Sequence, residues 1–108
     1  MDNFKIIYRI LKHLEMSLDC EYTDVGPISA ERLCINHTRW EQFIIMLQED
    51  GYIKGIVTTK ALGDDRSHIA EPITPVITLK GLEYLSENAV MKKAANVLKG
   101  IKEITPGL

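Results

Sequence analysis

Cysteine, aromatic side chains and surplus positive charge are all scarce in this 108-residue sequence. The two cysteines, Cys20 and Cys34, form no CxxC pair and have no Cys/His grouping around them, so neither a disulfide framework nor a zinc site is expected. Both are read as small apolar side chains buried in a reduced, cytoplasmic protein. No apolar run approaches the roughly 18 residues that a membrane span requires, which argues against a membrane partner. The opening MDNFKIIYRI carries an acid at Asp2 and no small-residue cleavage site, so no signal peptide is expected. Thirteen Lys and Arg stand against fifteen Asp and Glu, a net charge of -2. That balance excludes a uniformly basic surface, the usual source of affinity for phosphate backbones. Glycine-rich phosphate loops, GxSxG and HExxH are missing too, and His13, His37 and His68 fall on three different elements. No enzyme activity, metal or cofactor is therefore expected.

What remains is an ordinary globular composition, 45% hydrophobic and 26% charged. Its length suits a single domain with one core, here taken as residues 1–104 with a fraying tail at 105–108. Asn3 is placed as the N-cap of a first helix whose apolar positions Ile7, Ile10, Leu11, Leu14 and Leu18 make one stripe. His13 lies on its polar side. The helix fades near Asp19, and Asp24, Gly26 and Pro27 mark a loop. Ile28 reads as a one-residue strand or a hydrophobic staple. Ser29 caps a short helix over 30–34 with Leu33 inward, and Ile35, Asn36, His37 and Thr38 form a turn. Asn36 suits left-handed backbone, and Thr38 caps the next helix.

In that next helix Trp40, Phe43, Ile44 and Leu47 share one face, while Arg39, Gln42 and Ile45 point away from it. Gly51 follows where a left-handed C-cap belongs. Residues 52–60, YIKGIVTTK, are rich in β-branched and aromatic side chains and predict a strand, with Gly55 at a bulge or a close backbone approach. Residues 61–71 form a polar hairpin tip, and 72–79 return as a second strand with Pro75 at an edge or bulge. A helix over 80–87 places Leu82 and Leu85 inward. Asn88 stops it and caps a second helix over 89–102, striped by Val90, Ala94, Val97, Leu98 and Ile101.

A short helix, a turn and a longer helix make a helix-turn-helix, and the paired strands that follow make a wing. The expected fold is therefore α+β, a winged helix-turn-helix with three helices, a two-stranded wing and C-terminal helices. Two motifs narrow this reading. One is Trp40 followed by Leu47 and Gly51-Tyr52-Ile53-Lys54-Gly55. The other is Ile77-Thr78-Leu79-Lys80-Gly81-Leu82-Glu83-Tyr84-Leu85, continuing to Met91-Lys92-Lys93. Together they resemble the YjcQ family of small bacterial and prophage proteins, over nearly the whole chain. The resemblance implies a winged-helix fold and a phage or prophage association. It supplies no catalytic motif to carry over.

The outward N-terminal residues of the third helix in such a fold enter the major groove, where Arg pairs with guanine and Gln with adenine. The expected double-stranded DNA contacts are Asn36, His37, Thr38, Arg39 and Gln42 from the turn and helix, with Lys60 and Arg66 from the wing. Opposing them are Glu41, Glu49 and Asp50, counted here as acids near the groove, and Asp64 and Asp65 in the wing tip. Net acidity and an outward Ile45 support a second reading, an interaction module with a protein partner and no DNA contact. The last helix, rimmed by Lys92, Lys93, Lys99 and Lys102, is a candidate homodimer surface.

Overall fold

The apolar positions of the first helix dictate where the rest of the chain packs. The computed structural model describes residues 3–63 and 65–88; the proposed helix over 89–102, its lysine rim, the dimer surface assigned to it and the 105–108 tail lie outside them. Helix α1 (Asn3–Met16) buries Ile6, Ile10, Leu11 and Leu14, and a single 3-10 turn, Ser17–Asp19, continues it. The buried face is rotated from the expected one. Ile6 is fully buried and Ile7 half-buried, while Leu18 is exposed because it lies in the 3-10 turn, off the α-helical face. His13 is half-buried, and its Nε2 reaches the carbonyl of Asp24, which ties the following loop to α1.

Ile28 ends a second 3-10 turn, Gly26–Ile28, and is buried there. Helix α2 (Ala30–Leu33) starts at Ser29, whose Oγ accepts from the Arg32 N–H at 3.3 Å. It closes through paired backbone bonds, Cys34 N–H to the Glu31 carbonyl and Ile35 N–H to that of Ala30. This is a Schellman closure. It puts the left-handed residue at Cys34 (φ 60°), not at Asn36. Asn36 is extended instead and caps helix α3 (His37–Glu49), its Oδ1 accepting from Arg39 N–H at 2.7 Å. Thr38 therefore lies inside the helix. Cys20 and Cys34 are both exposed free thiols, against the buried placement expected of them. Each sits where a helix has just closed and its backbone turns at the surface.

Helix α3 ends by the same Schellman pairing, Gly51 N–H to Gln48 and Tyr52 N–H to Leu47, with Gly51 at φ 85° as its sequence position requires. The two long predicted strands are broken. Strand β1 (Ile53–Lys54) pairs antiparallel with β4 (Val76–Ile77), and β2 (Thr58–Thr59) with β3 (His68–Ile69). Between these pairs, residues 55–57 face residues 70–75, so the return limb carries the surplus. That surplus interrupts the ladder and separates two sheets. It contains Pro75, which is buried at the break and has no N–H to contribute. Gly55 (φ 93°) lies across from it, where a Cβ would fall 2.4 Å from the Thr74 carbonyl oxygen. Strand β3 occupies residues assigned to the hairpin tip, which shrinks to 60–67. Helix α4 spans 79–88, capped by Thr78, whose Oγ accepts from Gly81 N–H at 3.2 Å. Asn88 still belongs to α4, its side chain donating to the Tyr84 carbonyl.

The core joins Ile6, Ile10, Leu11 and Leu14 of α1 to Ile28, Leu33, Trp40, Phe43, Ile44, Leu47, Ile53, Ile77 and Leu85. The molecule is a mixed α+β fold, with four α-helices and two small antiparallel sheets among the described residues. No described helix is long and apolar enough to cross a membrane.

Candidate nucleic-acid interface

At 3.6 residues per turn, the polar side chains of α3 divide among two flanks and one outer face. His37, Glu41 and Gln48 share a flank, and that flank meets the hairpin. Glu41 is buried at 5% exposure. Its Oε2 accepts from the Ile69 backbone N–H at 3.0 Å, and its Oε1 lies 3.0 Å from His68 Nδ1. His37 Nε2 is 3.8 Å from Oε2, on the exposed side. Burial pushes the carboxyl toward the neutral form. The Ile69 N–H, the His68 hydrogen bond and the nearby imidazoles of His68 and His37 outweigh it, and the group sits below the ordinary carboxylate range. Glu41 is thus a bolt between α3 and β3, not an acid facing the groove as the sequence suggested. At the penultimate residue of α3, Gln48 pairs with both backbone groups of Ile56, accepting at 2.7 Å and donating at 2.9 Å. That bond pair satisfies the peptide groups freed where the ladder breaks.

The opposite flank carries Arg39, Phe43 and Met46 and meets α1. The Arg39 guanidinium lies 5.6 Å from the Phe43 ring centroid and donates to Asn3 Oδ1. Arg39 is exposed, but it is laid back along the molecule and does not project as expected. Asn3 acts as its acceptor. Below it, Phe4, Ile7, Phe43, Met46, Leu47, Asp50, Tyr52 and Tyr84 line an apolar hollow of about 210 Å³. Lys80 closes the far end of the region, donating to the Asp50 carbonyl at 2.7 Å and lying 5.0 Å from the Tyr52 ring.

The outer face is left to Thr38, Gln42, Ile45 and Glu49. Thr38 and Glu49 are exposed, and Gln42 and Ile45 half-buried. Ile45 is half-buried on this face and packs in part against the core, so it is less exposed than the protein-partner reading expected. Asn36 and His37 are exposed at the start of the helix; Asn36 is engaged as the cap, and His37 stacks on Trp40 with ring centroids 5.4 Å apart. Lys60 and Arg66 are exposed in the 60–67 tip. The tip springs from the Thr59↔His68 pair, and His68 is bonded to Glu41 one turn from His37. The base of the tip and the first turn of α3 are therefore neighbours. Of the seven sequence-predicted residues, Arg39 alone is drawn to another surface. Among the described residues no cluster of His, Cys, Asp or Glu is placed to hold a metal ion.

The family model described as YjcQ protein matches residues 8–104, from the middle of α1 through the hairpin and α4 and beyond. The chain belongs to the YjcQ family. It is 29% identical over 103 residues to the uncharacterised protein YjcQ of Bacillus subtilis (strain 168), a match covering 95% of this chain and 97% of that one. The solution NMR structure of the Bacillus subtilis YjcQ protein is 27% identical, with a TM-score of 0.49, covering 78% of this chain and 92% of that one. In this YjcQ-family chain, sequence reasoning missed Asn3, Glu41 and Gln48 as the residues that hold the site together. The signal available was faint. Glu41 and Gln48 are seven apart and so share one helical flank, but their partners lie eight to 28 residues away.

Proposed function

We propose that this protein is a winged-helix DNA-binding protein in which α2 and α3 form the helix-turn-helix and the β2–β3 hairpin forms the wing. The observation that supports this reading is the Glu41 bolt. It fixes the base of the hairpin to the first turns of α3, so that the tip carrying Lys60 and Arg66 springs from beside the turn that holds His37. A duplex whose major groove receives the start of α3 brings a phosphate backbone toward that tip. Thr38 and Gln42 then meet base edges, while Asn36 and His37 approach the backbone at the helix entry. The reading assigns the protein no catalysis and leaves open a role in transcriptional regulation, in a prophage or elsewhere.

Titrating a fluorescent duplex with the protein at low salt tests this by anisotropy. Binding is expected at low salt, with loss on replacing both tip cations (Lys60→Glu with Arg66→Glu) and an unchanged circular-dichroism melt. If the parent protein leaves the anisotropy flat at the lowest salt, the proposal is wrong.

A further inference from the structure

Resting on that reading, we infer that the protein selects A·T over G·C base pairs through the major groove, with Gln42 as the adenine-reading residue. The side chain best suited to guanine, an arginine at the start of α3, is committed elsewhere. Arg39 donates to Asn3 of α1 and lies against Phe43, and turning it into a groove breaks both contacts. Lys60 and Arg66 belong to the exposed wing tip, which the proposed reading assigns to the phosphate backbone. Guanine presents two acceptors, O6 and N7, which Arg or Lys meets with two donors. On the outer face the groups near the helix start are the Thr38 methyl and hydroxyl and the Gln42 amide. An amide matches the N6 donor and N7 acceptor of adenine with two hydrogen bonds, and a methyl group packs on the thymine 5-methyl. Glu49, the residue able to accept from a cytosine amino group, lies eleven residues beyond Thr38, about 16 Å further along the axis at 1.5 Å per residue. Glu41, which the sequence also offered to cytosine, is buried against β3.

The test compares duplexes of equal length with an all-A·T or an all-G·C core, at one low salt concentration. The A·T core is expected to bind about tenfold more tightly, the lower end of what one bidentate contact discriminates. Replacing adenine by 7-deazaadenine removes the N7 acceptor and leaves the minor groove untouched, and it is expected to abolish the preference. Gln42→Ala is expected to equalise the two duplexes while retaining the salt-sensitive binding; Arg39→Ala is expected to lower thermal stability and keep the preference. Equal binding by the parent, a G·C preference, or a preference that survives 7-deazaadenine overturns the inference but spares the DNA-binding proposal. A preference lost with Arg39→Ala in a protein that still folds also overturns it. Binding of neither duplex removes the proposal beneath it as well.

Discussion

Glu41 shows how much one side chain decides here. A carboxylate withdrawn from water is stable only when hydrogen bonds replace its hydration, and this one has the Ile69 N–H and His68. Its depressed pKa means the folded state holds the proton less tightly than the unfolded chain does. The stabilisation it gives is therefore complete above the ordinary carboxylate value of 4.5 and is lost as pH falls through its lower folded value. Glu41→Gln is expected to cost about 1–3 kcal/mol near neutrality, and the gap from the parent should close as thermal melts are repeated toward pH 3. Cys34 offers the opposite case. A non-glycine residue in left-handed backbone costs roughly 1–2 kcal/mol, partly offset by the extra chain entropy glycine loses on folding. Cys34→Gly is expected to raise stability by up to about 1 kcal/mol in chemical denaturation. Gly51→Val does the reverse. Its added Cβ meets Lys80 only at an ordinary 3.6 Å, so the loss of at least about 1 kcal/mol is a backbone effect.

At the scale of elements, α3 does three jobs with three sets of residues. The stripe Trp40, Phe43, Ile44 and Leu47 fills the core; one flank holds the hairpin, and the other holds α1. The stripe was legible because burial repeats at helical period. The flanks were not, because an outward polar residue and one bonded to a distant strand look alike in sequence. The hairpin was misread for a related reason. β-branched composition marks residues able to form strands, but pairing is set by register, and 55–57 cannot match 70–75. Leu47→Ala is expected to cost about 2–5 kcal/mol, as a buried leucine truncation does. Gln48→Ala frees both peptide groups of Ile56. It is expected to speed amide exchange at Ile56 and in β2 in hydrogen-exchange measurements, with a smaller overall loss of about 1–3 kcal/mol.

Across the whole molecule, the net charge of -2 sets what kind of partner affinity is available. On the DNA-binding proposal, Lys60 and Arg66 would neutralise about two phosphates, so raising salt from about 50 to 200 mM should weaken duplex binding only about tenfold. A much steeper loss would mean that more cations than the tip supplies reach the backbone. The sequence by itself determined the helix cap at Ser29, the turn at Gly51, the buried face of α3 and the family. Each depends on residues within a few positions of one another, where backbone geometry and apolar periodicity act. Only the tertiary structure decided that Glu41 binds β3, that Arg39 turns to α1 and that Gln48 spans the broken ladder. A polar side chain takes whichever partner folding brings within 3 Å, and these partners come from other elements.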